Sequence, residues 1–172
     1  MIHFVLVQNK QGKSRLNKWY SKQSLGEDQV EYSPYDKREK ARILREVTSI
    51  VSKRKGKVSN FVEYGDMMVV YRRYAGLYFV FGIDKADNPL ITLDLIHLWV
   101  EVLDTYFGSV CELDIVYNFH RAYFILDELI LGGHHQEPQK SVILGSVVKQ
   151  DEYAEEEEVG GGNVLDAFFV AA

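Results

Sequence analysis

The chain has 172 residues, 47% hydrophobic and 26% charged, which is the composition of an ordinary soluble domain and a length that suits one domain with a tail. One core of that size buries roughly 70% of the unfolded chain's surface, so disulfide-scaffold, collagen-like and wholly disordered classes are excluded. The formal net charge of −5 is unevenly spread: residues 1–57 hold 14 basic and 6 acidic side chains, 58–150 hold 6 and 12, and 151–172 none and 7. A basic front beside an acidic end points to acidic peptides or lipid headgroups as partners more than to nucleic acid.

Apolar runs such as Leu77 to Phe81 are far shorter than the roughly 18 residues of a membrane span, and the start lacks the basic n-region of a signal peptide, so a cytosolic chain is expected. Cys111 is the only cysteine, which leaves no internal disulfide and no thiolate metal cluster.

In chain order, Ile2 to Val7 and Arg15 to Tyr20 have strand character on either side of Asn9-Lys10-Gln11-Gly12, a hairpin signal. Residues 21–35 have no periodicity and are expected to form an exposed loop. Asp36 and Glu39 match the spacing of a capping box before Ile43, Leu44, Val47, Ile50 and Val51 at helical spacing, with Gly56 as the stop. Strands are expected over Asn60–Tyr64, Met67–Arg73 and Gly76–Ile83. Asn88-Pro89 is an N-cap and first-turn pair, and the helix it opens runs to Gly108.

That helix carries one narrow polar stripe, Asp94, His97, Glu101 and Asp104, and is otherwise apolar. A single sheet covers only one side of it, so further helices or another protein must cover the rest. Residues 111–131 are similarly apolar, with Asn118 placed to cap a second helical piece and Gly132-Gly133 to end it. Val142 to Val148 suits a short helix. Beyond 150, the run Glu155 to Glu158 and the glycines 160–162 read as disorder. The domain is thus expected over 1–150 and an acidic tail over 151–172.

Catalytic signals are weak. Gly12-Lys13-Ser14 resembles the end of a P-loop, but Val7 stands where the motif needs glycine and a strand follows instead of a helix. His134-His135 with His120 lacks a carboxylate at ligand spacing. Cys111 sits among Val110, Glu112 and Leu113 with no histidine base and is expected to be a buried structural thiol. Asp127-Glu128 has no facing partner. Neither an enzyme nor a cofactor is indicated.

Three segments, Tyr71-Arg72-Arg73-Tyr74-Ala75-Gly76-Leu77-Tyr78-Phe79, Ile96 through Leu103, and Val110-Cys111-Glu112-Leu113-Asp114-Ile115-Val116-Tyr117-Asn118-Phe119, together with Met1-Ile2-His3-Phe4 and Gln11-Gly12-Lys13-x-Arg15-Leu16, agree in order and spacing with one family. Over about residues 1–150 the chain resembles the small (sigma) subunits of clathrin adaptor complexes. The resemblance implies a longin-like α/β (α+β) domain, a five-stranded antiparallel sheet flanked by helices on both faces. It also implies a heterotetramer with two large adaptins and one medium subunit on the cytoplasmic face of membranes.

Family members in several complexes receive acidic dileucine signals, [DE]xxxL[LI], from cargo tails. Carried over by position, Ala75, Leu77, Val100, Val110, Leu113 and Ile115 would line the pocket with Ser109 at its edge, and Arg15 would meet the acidic residue. The alternative for Val100, Leu113 and Ile115 is that they are ordinary core residues that do not touch cargo. Gln8-Asn9, Asn60-Phe61-Val62-Glu63 and Arg72-Arg73-Tyr74-Ala75-Gly76 look like the plasma-membrane endocytic complex, whereas Gly108-Ser109-Val110, Ala122 through Glu128 and Lys140-Ser141-Val142 look like the trans-Golgi and endosomal one; the balance leans to the former, at coated pits. The alternative class is a longin-domain regulator of small GTPases or of membrane fusion.

Overall fold

The computed structural model describes residues 1–20, 35–54 and 59–169, with side chains as far as Ala154. Strands β1 (Ile2–Asn9), β2 (Ser14–Trp19), β3 (Phe61–Tyr64), β4 (Met67–Tyr74) and β5 (Leu77–Asp84) form one antiparallel sheet in the order β2-β1-β5-β4-β3. All eight residues of β1 are buried, as a strand with neighbours on both edges and helices on both faces must be.

Alternation along β1 sends its side chains to two cores. Phe4 and Leu6 join Val69, Tyr71 and Val80 beneath helix α1 (Lys37–Lys53), which contributes Ile43, Val47 and Val51. Val5 and Val7 join Phe79 and Phe81 on the other face, under helix α2 (Pro89–Phe107). There Trp99 sits edge-on to Phe79 with centroids 5.3 Å apart. At Gly82 the sheet and Phe4 approach so closely that a Cβ would lie 2.2 Å from the ring. The β1–β5 register shifts at this point.

The α1 cap differs from the expected box. The Asp36 carboxylate accepts from the Lys37 N–H at 2.6 Å, and Glu39 pairs instead with Arg42. Helix α2 begins and ends as its sequence requires: the Asn88 side chain accepts from the Leu90 N–H at 3.0 Å, and Gly108 closes the helix in the left-handed region. Its polar stripe faces outward.

Helices α3 (Glu112–Tyr117), α4 (Phe119–Leu129) and α5 (Lys140–Phe169) follow. Helices α4 and α5 flank α2 and bury Ile125, Leu126, Ile143 and Val147. Even so, Leu90 and Ile91 of α2 stay 59% and 61% exposed, leaving an uncovered apolar face. Among the described residues no helix is long and apolar enough to cross a membrane.

Two local expectations change. Gly132-Gly133 are the turn between two-residue strands β6 (Ile130–Leu131) and β7 (His134–His135), and the Gly133 carbonyl accepts from the Ile2 N–H at 2.8 Å. Helix α5 also continues to Phe169, past the position 150 at which a helical stop was expected. Glutamate is a good helix former, and Asp151 ties this part to the domain: it accepts from the Tyr106 hydroxyl at 2.6 Å and pairs with Arg121. Burial and the Asp151 carboxylate raise the Tyr106 phenol to about 12. Asp151→Asn is expected to lower stability by about 1–2 kcal/mol, read as a reduced Tm of the purified chain. The loop expected over 21–35 lies, apart from Tyr35, outside the described residues, as does Gly56.

Candidate functional site

Four segments meet at one end of the sheet. The turn after β1 is held by Asn9, whose side-chain oxygen accepts from the N–H groups of Gln11 and Lys13 at 3.0 and 2.9 Å. Beside it lies the β4–β5 turn at Ala75-Gly76, because Asn9 is paired with Leu77 in the register. Helix α2 leans on the same turn: the Tyr74 hydroxyl is 3.1 Å from His97 Nδ1 and the two rings stack. Val100 lies one helical turn further along. The chain then leaves α2 through Gly108 and Ser109 and enters α3.

From α3 the Glu112 carboxylate crosses to β2, where its Oε1 meets the Arg15 guanidinium at 2.5 and 2.7 Å. Asn9 donates to the same oxygen at 3.3 Å. Arg15 is thus fixed at the junction of β1, β2 and α3 with its charge already met by an internal carboxylate.

The residues assigned from the resemblance all fall on these segments, at different depths. Leu77, Val100 and Ile115 are buried in one core, and Val110 packs partly buried against it. Ala75 and Ser109 are exposed. Leu113 lies outside the core in which the alternative reading would place it, being 59% exposed. Leu113 and Tyr117, four apart on α3, both face solvent. Leu113 and Val110 are thus the outer apolar side chains of this corner, with Val100 and Ile115 buried. Glu112, Asn9 and His97 belong to this corner by geometry, although no sequence motif singled out their contacts.

Backbone strain collects here too. Among the described residues the non-glycine positions with positive φ are Ala75, at 47°, and Ser109, at 78°, and such conformations cost about 1–2 kcal/mol for an L-residue. Asp104 holds the second of them: its main-chain carbonyl accepts from Gly108 and Ser109, and its carboxylate accepts from the Val110 N–H at 3.0 Å. Ser109→Gly is expected to raise stability by about 0.5 kcal/mol, after the added unfolded-state freedom of glycine is subtracted; denaturant midpoints of the two chains measure it.

The other sequence candidates are occupied elsewhere or face solvent. Cys111 is exposed, not buried, because it precedes the first turn of α3 and its N–H donates to Asp114 at 2.8 Å. Asp127 pairs with Lys18. His134 and His135 lie exposed on β7. Among the described residues no three His, Cys, Asp or Glu side chains are grouped to hold a metal. The corner thus combines exposed apolar surface at Leu113, the Arg15–Glu112 ion pair and two turns with positive φ at Ala75 and Ser109.

Comparison with known proteins gives a consistent set of likenesses. A family model described as clathrin adaptor complex small chain matches residues 1–154. The AP-1 complex subunit sigma-1 of Arabidopsis thaliana is 46% identical over 168 residues, covering 96% of this chain and 97% of that one. The AP-2 complex subunit sigma of Dictyostelium discoideum is 51% identical over 144 residues, covering 84% and 93%. A chain of a structure described as a homology model of the full-length AP-3 complex in a stretched open conformation superimposes with a TM-score of 0.67 at 30% identity, covering 93% of this chain and 99% of that one.

Proposed function

Because this chain belongs to the clathrin adaptor complex small chain family, we propose that it serves in its heterotetramer as a receptor for acidic dileucine signals in the cytosolic tails of membrane cargo. The observation that carries the reading is the placing of Arg15 beside α3, whose next residue after Glu112 is the outward-facing Leu113. A cation and an exposed apolar side chain thus share one corner, matching a signal that has an acidic residue a few positions before two leucines. Ala75, Ser109 and Val110 form the rim, and Leu77, Val100 and Ile115 the floor that the leucines approach. The role is binding and assembly, not catalysis.

The uncovered face of α2 around Leu90 and Ile91 is the surface that packs on a large adaptin, with the medium subunit and second large subunit completing the assembly. The complex works at the cytoplasmic face of membranes and reaches the clathrin coat through its other subunits.

Affinity follows from magnitudes. Two buried leucines contribute roughly 3 to 6 kcal/mol, a partly exposed ion pair under about 1, and ordering a flexible peptide removes several. A Kd in the micromolar range or weaker is expected, adequate where many tails and lipids act together. Titration of the purified heterotetramer with a peptide bearing the signal tests this. Loss of binding when both leucines become serine supports the reading, and absence of binding at about 1 mM peptide overturns it.

For the complex itself, the plasma-membrane endocytic assembly is favoured by the Gln8-Asn9 and Asn60 to Glu63 motifs and by the 51% identity to an AP-2 sigma chain. A trans-Golgi and endosomal assembly is the second reading, favoured by AP-1 sigma chains that match over more of the sequence, up to 96% of it. Affinity purification of the tagged chain, with the large subunits identified by mass spectrometry, separates the two.

A further inference from the structure

We propose that Glu112 is a built-in competitor for the acidic residue of the signal, holding Arg15 until an incoming carboxylate takes its place. The inference rests on Arg15 being the cation of the signal site. Glu112 makes the contact that a cargo carboxylate would make, at 2.5 and 2.7 Å from the guanidinium. Both side chains remain reachable, Arg15 at 20% and Glu112 at 35% exposure. Displaced, Glu112 keeps the Asn9 amide as a donor and gains water, so it can let go without being stranded.

The consequence is a specificity rule. When a signal exchanges one carboxylate on Arg15 for another, it gains little from its acidic residue, and the leucines dominate recognition. Neutralising Glu112 leaves Arg15 without an ionic partner on α3, and the acidic residue of the signal then gains the whole ion pair. Glu112 therefore sets how strictly an acidic residue is required, and tunes the site toward apolar selection.

The test uses the purified heterotetramer and two peptides that differ only in glutamate or glutamine four positions before the first leucine. In the wild-type complex the glutamate peptide is expected to bind less than about 3-fold tighter than the glutamine peptide. With Glu112→Gln the glutamate peptide is expected to gain about 3- to 5-fold, while the glutamine peptide stays within about 2-fold. Adding Arg15→Ala to Glu112→Gln should erase the gain. A merely structural role for Glu112 would move both peptides together, and that result overturns the inference, as does an unchanged preference in a complex that binds both. Failure of both complexes to bind either peptide overturns the inference and the receptor function alike.

Discussion

Leu113→Asp is expected to reduce dileucine-peptide binding by more than tenfold while leaving the chain folded and assembled. Leu113 is 59% exposed and belongs to neither core, so its replacement opens no cavity, and a surface change of this kind moves stability by about 0.5 kcal/mol or less. In the complex it removes part of the roughly 1.5–3 kcal/mol that a covered leucine contributes. It also presents a carboxylate to an acidic peptide, one that must lose water as a leucine docks against it. Starting from micromolar affinity, the two effects together put binding near the limit of titration. Val100→Asp would be a poorer probe: Val100 is only 8% exposed, so a charge there enters the core and lost binding would be confused with unfolding. Peptide titration of the Leu113 variant, alongside recovery of the intact tetramer, is the measurement. Unchanged affinity would remove Leu113 from the site.

Gly82→Ala is expected to destabilise the domain by about 2–3 kcal/mol without touching the binding corner. The added methyl would stand 2.2, 2.6 and 2.8 Å from three atoms of the Phe4 ring. That ring has no exposed surface, and Trp19 packs beside it at a centroid separation of 5.0 Å. Overpacking of this kind forces side chains out of their rotamers or shifts backbone. Denaturant unfolding of the purified chain measures the loss. Phe4→Leu, destabilising alone, is expected to recover part of it in the double variant, the coupling that residues in contact show; a strictly additive pair would mean that the sheet relaxes elsewhere.

How far the fold could be read from sequence depended on element length. Asn88-Pro89 and Gly108 bracket the long helix because each residue has a local physical role at its terminus, whereas the β4–β5 turn, expected at Tyr74-Ala75, falls one residue later at Ala75-Gly76. Shorter pieces gave less. Helix α3 has six residues, too few turns for periodicity to say that Ile115 faces inward while Leu113 and Tyr117 face out. Cys111, expected in the interior among Val110, Glu112 and Leu113, is exposed, because a residue at a helix entrance follows the direction of the chain and not the hydropathy of its flanks. Strands β6 and β7 hold two residues each, below the length at which alternation exists. At the site, resemblance supplied the residue names, but the Arg15–Glu112 bridge joins positions 97 apart, and such a pairing leaves no trace in local pattern.

The strand order has a consequence for synthesis. Strand β1 gains β2 at once, by residue 19, but its other neighbour, β5, begins only at residue 77. At roughly 5–20 residues per second, the emerging chain carries Phe4, Val5, Leu6 and Val7 with one edge bare for several seconds. A lone two-stranded hairpin is only marginally stable in water, and a bare apolar edge invites pairing with another chain. The edge of β1 thus stays open to wrong pairing throughout the synthesis of residues 20–84 and closes only when β5 has emerged.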